Sequence, residues 1–345
     1  MIIAMKVTVL GAGSWGTALS ILLARNGHEV VLWGLESEDI EIIQSHRENL
    51  HYLPGFAIPS LVRATDNASD LDESDIWVVA VPCHAARSVM RFIKGRQPIV
   101  TIASKGLEAS SAKPISDVAV EELPNCIVSA ISGPNLAVEI VRGIPTVAVS
   151  ASSDPEIAEK VRQAFMCRTY RVYVSSDVVG VELAGALKNV LAIGAGLSDG
   201  LGFGDNTKGA LLARGLHEMT CLGMALGGRM ETFMGIAGVG DLFATAVSKL
   251  SRNYRVGRAL GEGKSLEEAL ASIGQVAEGV ATSESAVLIG RRCGISVPVF
   301  DTIENVIRGR IKPMEGVAML MERQPREEGF SRGEPAVDIG GPKKT

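Results

Sequence analysis

Short, fully apolar runs alternate with helix-period segments through the first half of the chain, and helix-period segments dominate the second. Met5–Leu10 predicts a buried strand, and Gly11-Ala-Gly-Ser-Trp-Gly16 a turn into an apolar helix ending near Asn26-Gly27. Glu29–Trp33, Asp75–Val81 and Pro98–Ala103 predict three further strands. Cys126–Ile131 and Thr146–Ser150 extend the sheet, and Arg171–Val174 adds an edge. Such alternation over units of about 30 residues implies a doubly wound, mostly parallel sheet with right-handed crossovers. From about Asp177 the period becomes helical, with runs at Lys208–Leu226, Leu242–Lys249, Arg252–Leu260, Ser265–Ile273 and Ala281–Cys293. The expected organisation is an α/β domain over 1–176, an all-α substrate and catalytic domain over 177–323, and a frayed polar tail over 324–345.

Composition narrows the partners. A net charge of −5 over 345 residues, with no dense basic patch, argues against nucleic acid. Five widely spaced cysteines, Cys83, Cys126, Cys167, Cys221 and Cys293, form no Cys-x-x-Cys pair. They read as reduced thiols in cytosol, with no metal site. Mean hydropathy is +0.23, but alanine and glycine supply much of it and no run approaches the ~20 apolar residues of a spanning helix. No membrane insertion and no secretion signal are expected, which makes the cytoplasm the expected location.

Gly11, Gly13 and Gly16 follow a strand and open a helix, the context in which a G-x-G-x-x-G turn binds a dinucleotide. The first glycine permits the bend, the second admits a pyrophosphate at the helix N-terminus, and the third lets helix pack on strand. The second strand ends Trp33-Gly-Leu-Glu36, with neither the immediate acidic residue of an NAD site nor an arginine for NADP. Glu36 serves equally well as a ribose partner or as a solvated helix-start residue. Leu35 and the acidic group Glu36, Glu38, Asp39 and Glu41 lean the choice toward NAD.

Lys188 stands alone in a long apolar stretch. On a helix its face carries Ala184, Gly185, Ala192 and Ala195, which suggests close packing or a pocket. It is a candidate proton donor, the alternative being a lysine snorkelling from a buried helix. Lys105 and the loop Ser132-Gly-Pro-Asn135 follow strands directly, where open α/β sheets bind ligands, though a loop lysine and a Gly-Pro turn are ordinary features. Asp241 stands at a helix start, where capping is its plain role. Ser251-Arg-Asn253 combines a hydroxyl, a guanidinium and an amide with free helix N–H groups, which suits a phosphate dianion or a capped helix with an exposed arginine.

Together these residues resemble the bacterial-type NAD(P)-dependent glycerol-3-phosphate dehydrogenases, in one order and to about residue 320. The resemblance rests on residues 11–18, Asn49-Leu-His-Tyr-Leu-Pro-Gly55, Ser104-Lys-Gly-Leu-Glu108, Ser132-Gly-Pro134 and Ala186-Leu-Lys-Asn-Val190. It continues through Asn206-Thr-Lys208, Gly238-Val-Gly-Asp-Leu242, Ser251-Arg-Asn253 and Ala277-Glu-Gly279. It implies a Rossmann-like domain and reversible hydride transfer between NAD or NADP and a small phosphorylated substrate, supplying glycerol 3-phosphate for phospholipid synthesis. It implies Lys188 as general acid/base, Lys105 touching cofactor and substrate, and Asp241 completing the polar cluster. Ser251, Arg252 and Asn253 hold the phosphate, and Gly133 and Asn135 line the substrate loop. Ser14, Trp15, Ala137, Val276 and Glu278 contact the cofactor, with Arg252 shared. A homodimer is also expected. The chain departs from the pattern at Asn135, where the family often has serine or threonine, and at Leu35, where many members are basic or polar. A reductase of 2-keto or 3-hydroxy carboxylates and a non-catalytic NAD(H) sensor are the rival classes. The glycine-rich stretch Ser198–Asp205 reads either as a mobile cover or as an interhelical loop.

Overall fold

The computed structural model describes residues 4–71, 73–93 and 99–324. Eight strands form one sheet: β1 (Lys6–Leu10), β2 (Glu29–Trp33), β3 (Val62–Thr65), β4 (Ile76–Val79), β5 (Ile99–Ile102), β6 (Ile127–Ser132), β7 (Thr146–Ser152) and β8 (Tyr170–Ser175). Their order across the sheet is β8-β7-β6-β5-β4-β1-β2-β3. Every neighbouring pair is parallel except β6 with β7. The chain winds outward from β1 through β2 to β3, then returns to β4 on the other side. That reversal opens a crevice at the carboxyl ends of β1 and β4, where the glycine turn emerges.

Central strands read as continuous apolar runs because both faces are covered: all four residues of β4 and of β5 are buried. Their few hydroxyls pair with one another across strands, as Thr101 does with Ser129 at 2.8 Å. β3 escapes the sequence reading. Its four residues, Val-Arg-Ala-Thr, carry almost no periodic signal, and pairing with β2 makes them a strand. Pro98 and the tail from 325 to 345 lie outside the described residues.

The second half surrounds one helix, Val178–Gly200, buried from Gly180 to Ser198. Its most apolar 18-residue window has a mean hydropathy of 1.5, and Met230–Val247 also reaches 1.2. The expectation that no segment approaches membrane-spanning length and apolarity is therefore corrected. For the central helix the apolarity answers to protein on all sides, since helices Asp205–Ala225, Asp241–Val247, Arg252–Gly261 and Glu278–Cys293 pack around it.

Helix Arg252–Gly261 comes closest, because glycines remove the side chains between the two backbones. A Cβ on Gly257 would lie 1.9 Å from the Ile193 carbonyl oxygen, and one on Gly261 would lie 2.6 Å from that of Leu197. From the other side, a Cβ on Gly196 would lie 2.1 Å from the Tyr254 oxygen, and one on Gly200 would lie 2.4 Å from that of Arg258. Both series advance four residues on both helices, so the helices run parallel. Asn189 and Asn253 meet beside Gly279, which brings the start of the second helix level with Lys188. The stretch read as either a mobile cover or an interhelical loop divides between the ends of two helices and the short loop 201–204 that joins them. Ser198–Gly200 is helix, and Asp199 is bonded to Tyr254 and Lys208.

Gly257→Ala should force the two backbones apart and cost about 1–3 kcal/mol or more. A calorimetric melting temperature within error of wild type would refute this account of the contact.

Candidate active site

At the nucleotide turn the three glycines do different things. Gly11 has φ +117°, and a Cβ there would lie 2.8 Å from the Ala80 carbonyl oxygen. A Cβ on Gly16 would lie 1.8 Å from the oxygen of Gly11, whereas one on Gly13 would meet nothing within 4 Å. Gly13 therefore leaves an open cradle at the N-terminus of helix Ser14–Arg25, a fit for a pyrophosphate. Asn49, buried, braces the turn by donating to the Ala12 carbonyl and Thr17 Oγ1, both at 2.8 Å. Trp15 Nε1 donates to the Ala103 carbonyl at 2.9 Å, tying the helix to the end of β5. Ser14 and Ala137 each begin a helix. Glu36 occupies the N-cap position of helix Ser37–His46 without a capping bond, and Leu35 is 71% exposed.

Across the crevice, Asp241 faces two ammonium groups. Its Oδ2 accepts from Lys105 Nζ at 2.8 Å and its Oδ1 from Lys188 Nζ at 3.0 Å. Lys105 also donates to the Gly133 carbonyl at 2.7 Å. Lys188 also donates to Thr245 Oγ1 at 2.6 Å, and that hydroxyl donates to Asp241 at 3.2 Å. A π-helical turn, Ile236–Gly240, delivers Asp241 to this position, and its side chain makes no cap bond, so the capping alternative does not hold. The small face of the central helix has a matching cause. A Cβ on Gly185 would lie 2.7 Å from Ser132 Oγ and 3.7 Å from Lys105 Cγ, so the glycine lets the second lysine lie against the helix that carries the first.

Burial pushes the Lys188 ammonium down to about 8, with Lys105 and Arg252 adding to the push and Asp241 opposing it. Burial works against the Asp241 carboxylate, yet the two lysines overcome it and hold its pKa below the usual range. Lys188 is 4% exposed, and its ammonium is satisfied inside the cleft, which excludes the snorkelling alternative.

Ser251 caps helix Arg252–Gly261 by accepting from the Tyr254 N–H at 3.2 Å, which leaves its hydroxyl proton to donate. The first N–H groups of that helix have no intrahelical acceptor. Asn253 Oδ1 accepts from the Gly279 N–H at 3.0 Å, so its NH2 remains the free donor. Burial lowers the Arg252 pKa, and Glu278 opposes that shift. Glu278 itself accepts from the Cys83 N–H at 2.9 Å, joining helix Glu278–Cys293 to helix Cys83–Phe92. Its pKa is raised by burial, and Arg252 is among the groups that pull it back. Val276, 41% exposed, lies just before this helix.

Asn135 is placed differently from expectation. Its Nδ2 donates to the Val147 carbonyl at 2.9 Å and its Oδ1 accepts from the Tyr170 hydroxyl at 3.0 Å. Its amide thus bonds to the sheet through both ends, which leaves one Nδ2 hydrogen and the backbone for a ligand. Sequence reasoning missed Thr245 and Asn189. Asn189 donates to the Lys105 carbonyl at 2.9 Å and holds the strand-end loop to the central helix. The helical spacing of Thr245 from Asp241, i and i+4, is the one signal that could have found it.

Family models of the NAD-dependent glycerol-3-phosphate dehydrogenase N-terminus and C-terminus match residues 6–158 and 177–318. The glycerol-3-phosphate dehydrogenase [NAD(P)+] of Desulfitobacterium hafniense is 45% identical over 94% of this chain and 93% of its own. The chain belongs to the NAD-dependent glycerol-3-phosphate dehydrogenase family. Another member, from Thermoanaerobacter sp., is 47% identical over 94% of this chain and 99% of its own. The crystal structure of the Coxiella burnetii glycerol-3-phosphate dehydrogenase superposes with a TM-score of 0.89 at 35% identity, covering 93% of this chain and 99% of that one.

Asp241→Asn would leave two buried ammonium groups facing a neutral amide. The expected loss of stability is about 3–5 kcal/mol at pH 6. The deficit should shrink as pH rises through the wild-type Lys188 value of about 8, because above it the ammonium that Asp241 compensates is neutral in the folded state of both proteins. Calorimetry across that range would refute the charge-compensation role if the melting temperature stayed at the wild-type value throughout.

Proposed function

We propose that this chain interconverts dihydroxyacetone phosphate and sn-glycerol 3-phosphate with NAD(P)(H), Lys188 being its general acid/base. The observation that carries the reading is a buried lysine, tuned to about 8, level with a helix N-terminus that offers an arginine, a serine and an asparagine.

The residues that would hold the cofactor are Gly11, Gly13, Ser14, Trp15 and Gly16 at the turn, with Ala137, Val276, Glu278, Lys105 and Arg252 around it. When bound, the nicotinamide supplies or accepts the hydride. Lys188 Nζ delivers a proton to the C2 oxygen in reduction, as that oxygen gains negative charge, and retrieves it in oxidation. Lys105 adds a second positive charge beside the same oxygen, supported by the Gly133 carbonyl. Asp241 and Thr245 orient Lys188. Ser251, Arg252 and Asn253 bind the phosphate, and that remote binding energy fixes the reacting carbon. Three cations, Lys105, Lys188 and Arg252, stand against two carboxylates, Asp241 and Glu278, an excess that suits a dianionic substrate. The product is the backbone unit of phospholipids. Leu35 and the acidic residues that follow it favour NAD over NADP, since their negative charge would repel a 2′-phosphate.

In the reductive direction kcat/KM should fall as pH rises through about 8, and in the oxidative direction it should rise, because the first needs protonated Lys188 and the second neutral Lys188. Lys188→Ala should lose about two to four decades of turnover while remaining folded. Near-normal turnover in that variant would remove the lysine from the chemistry. Arg252→Ala should raise KM for dihydroxyacetone phosphate about tenfold or more, the worth of a charge-assisted bond. An unchanged KM would remove it from the clamp. Parallel steady-state measurements should give a lower KM for NADH than for NADPH, and Leu35→Arg should narrow the gap. An NADPH preference in the wild type would overturn the cofactor assignment.

A further inference from the structure

We propose that Tyr254, Asp199 and Lys208 form a positioning device that fixes the phosphate-binding end of helix Arg252–Gly261. This rests on the reading that Ser251, Arg252 and Asn253 hold the substrate phosphate.

The Tyr254 hydroxyl donates to Asp199 Oδ2 at 2.6 Å, and Lys208 Nζ lies 2.7 Å from Asp199 Oδ1. One carboxylate thus joins three elements: the last turn of the central helix, the first turn of helix Asp205–Ala225, and helix Arg252–Gly261. Burial disfavours the Asp199 charge, but the bonds from Lys208 and Tyr254 prevail and keep its pKa low. Burial and Asp199 together push the Tyr254 phenol up to about 12, so the hydroxyl remains a donor at any working pH. Arg258, which pairs with Glu262 at 2.8 Å, is the other charge facing this carboxylate.

Tyr254 is well placed to transmit that fixation. It is the third residue of the helix, and its own N–H is the one that the Ser251 hydroxyl accepts. Its carbonyl is the atom that Gly196 approaches. Glycine-to-backbone contacts set how near the two helices lie, but they supply no side chain that resists rotation or sliding. A phenol anchored to the far end of the central helix supplies that resistance. The hydroxyl lies remote from Lys188: Asp199 stands eleven positions further along the helix, roughly 16 Å at 1.5 Å per residue. Loss of the bond should therefore disturb phosphate binding and leave proton transfer alone.

Tyr254→Phe keeps the ring and removes the bond. It should raise KM for dihydroxyacetone phosphate and the inhibition constant of inorganic phosphate together, each about three- to tenfold, the scale of one hydrogen bond to a charged group. Saturating kcat and the kcat pH profile should stay at wild-type values, and KM for NADH should move less than the two phosphate constants, since of the three clamp residues Arg252 alone also serves the cofactor. Asp199→Ala, which removes the acceptor, should do the same, and the double variant should be no worse than the worse single one. Lys208→Met, which leaves the Tyr254–Asp199 bond in place, should move the same two constants by less. Unchanged phosphate inhibition in Tyr254→Phe overturns the proposal. So does a parallel loss of kcat and NADH binding, which would mark a purely structural role. Absence of dihydroxyacetone phosphate turnover in the wild type would instead sink the functional reading beneath it.

Discussion

The distance between two backbones governs this molecule. The central helix and helix Arg252–Gly261 approach so closely that a methyl group at Gly196, Gly200, Gly257 or Gly261 has no place to go. The contact repeats every four residues on both helices and sets their separation, while the Tyr254–Asp199 bond resists sliding and holds their relative height. The height puts one N-terminus beside one lysine. The proposed phosphate clamp and the proposed proton donor, sixty-odd positions apart in the chain, thereby acquire a fixed spacing. Larger residues at these positions would leave both groups intact and separate them.

Within that frame, electrostatics does the tuning. Burial alone would strip the proton from Lys188, and a full ion pair would hold the proton too firmly for transfer. Asp241 is shared between two ammonium groups, so neither receives a whole counter-charge. The outcome is a lysine near 8, poised for either direction of the reaction. Thr245 accepts from the same ammonium and contributes orientation without adding charge.

How much of this could be read from the chain depended on whether the cause was local. The glycine turn was legible because strand, turn and helix lie within twenty residues and each glycine answers to a short-range constraint. Lys188 was legible by contrast with its small neighbours, although the reason for them, the stem of Lys105 lying across Gly185, is a contact between residues 80 positions apart. Asp241 carried an ambiguity that only the π-helical turn resolved. Thr245 and Asn189 are ordinary residues on ordinary helices, and nothing in composition marks them. Asn135 was assigned by position in a loop, and its bonds to Val147 and Tyr170 were not legible, being set by the antiparallel β6–β7 pair and the neighbouring edge strand. β3 and the membrane-length apolarity of the central helix share one lesson, that partners elsewhere in the chain decide what a short or very apolar segment becomes.

The shared carboxylate also links occupancy to protonation. Lys105 and Lys188 compete for Asp241, so whatever draws Lys105 toward a bound anion leaves more of the aspartate to its rival. If a bound anion drew Lys105 away from Asp241, the Lys188 proton would be held more tightly than in the empty site, and binding would take up protons at pH values near 8. By the same reciprocity, acidifying the medium would then tighten the grip on the anion before any hydride moves.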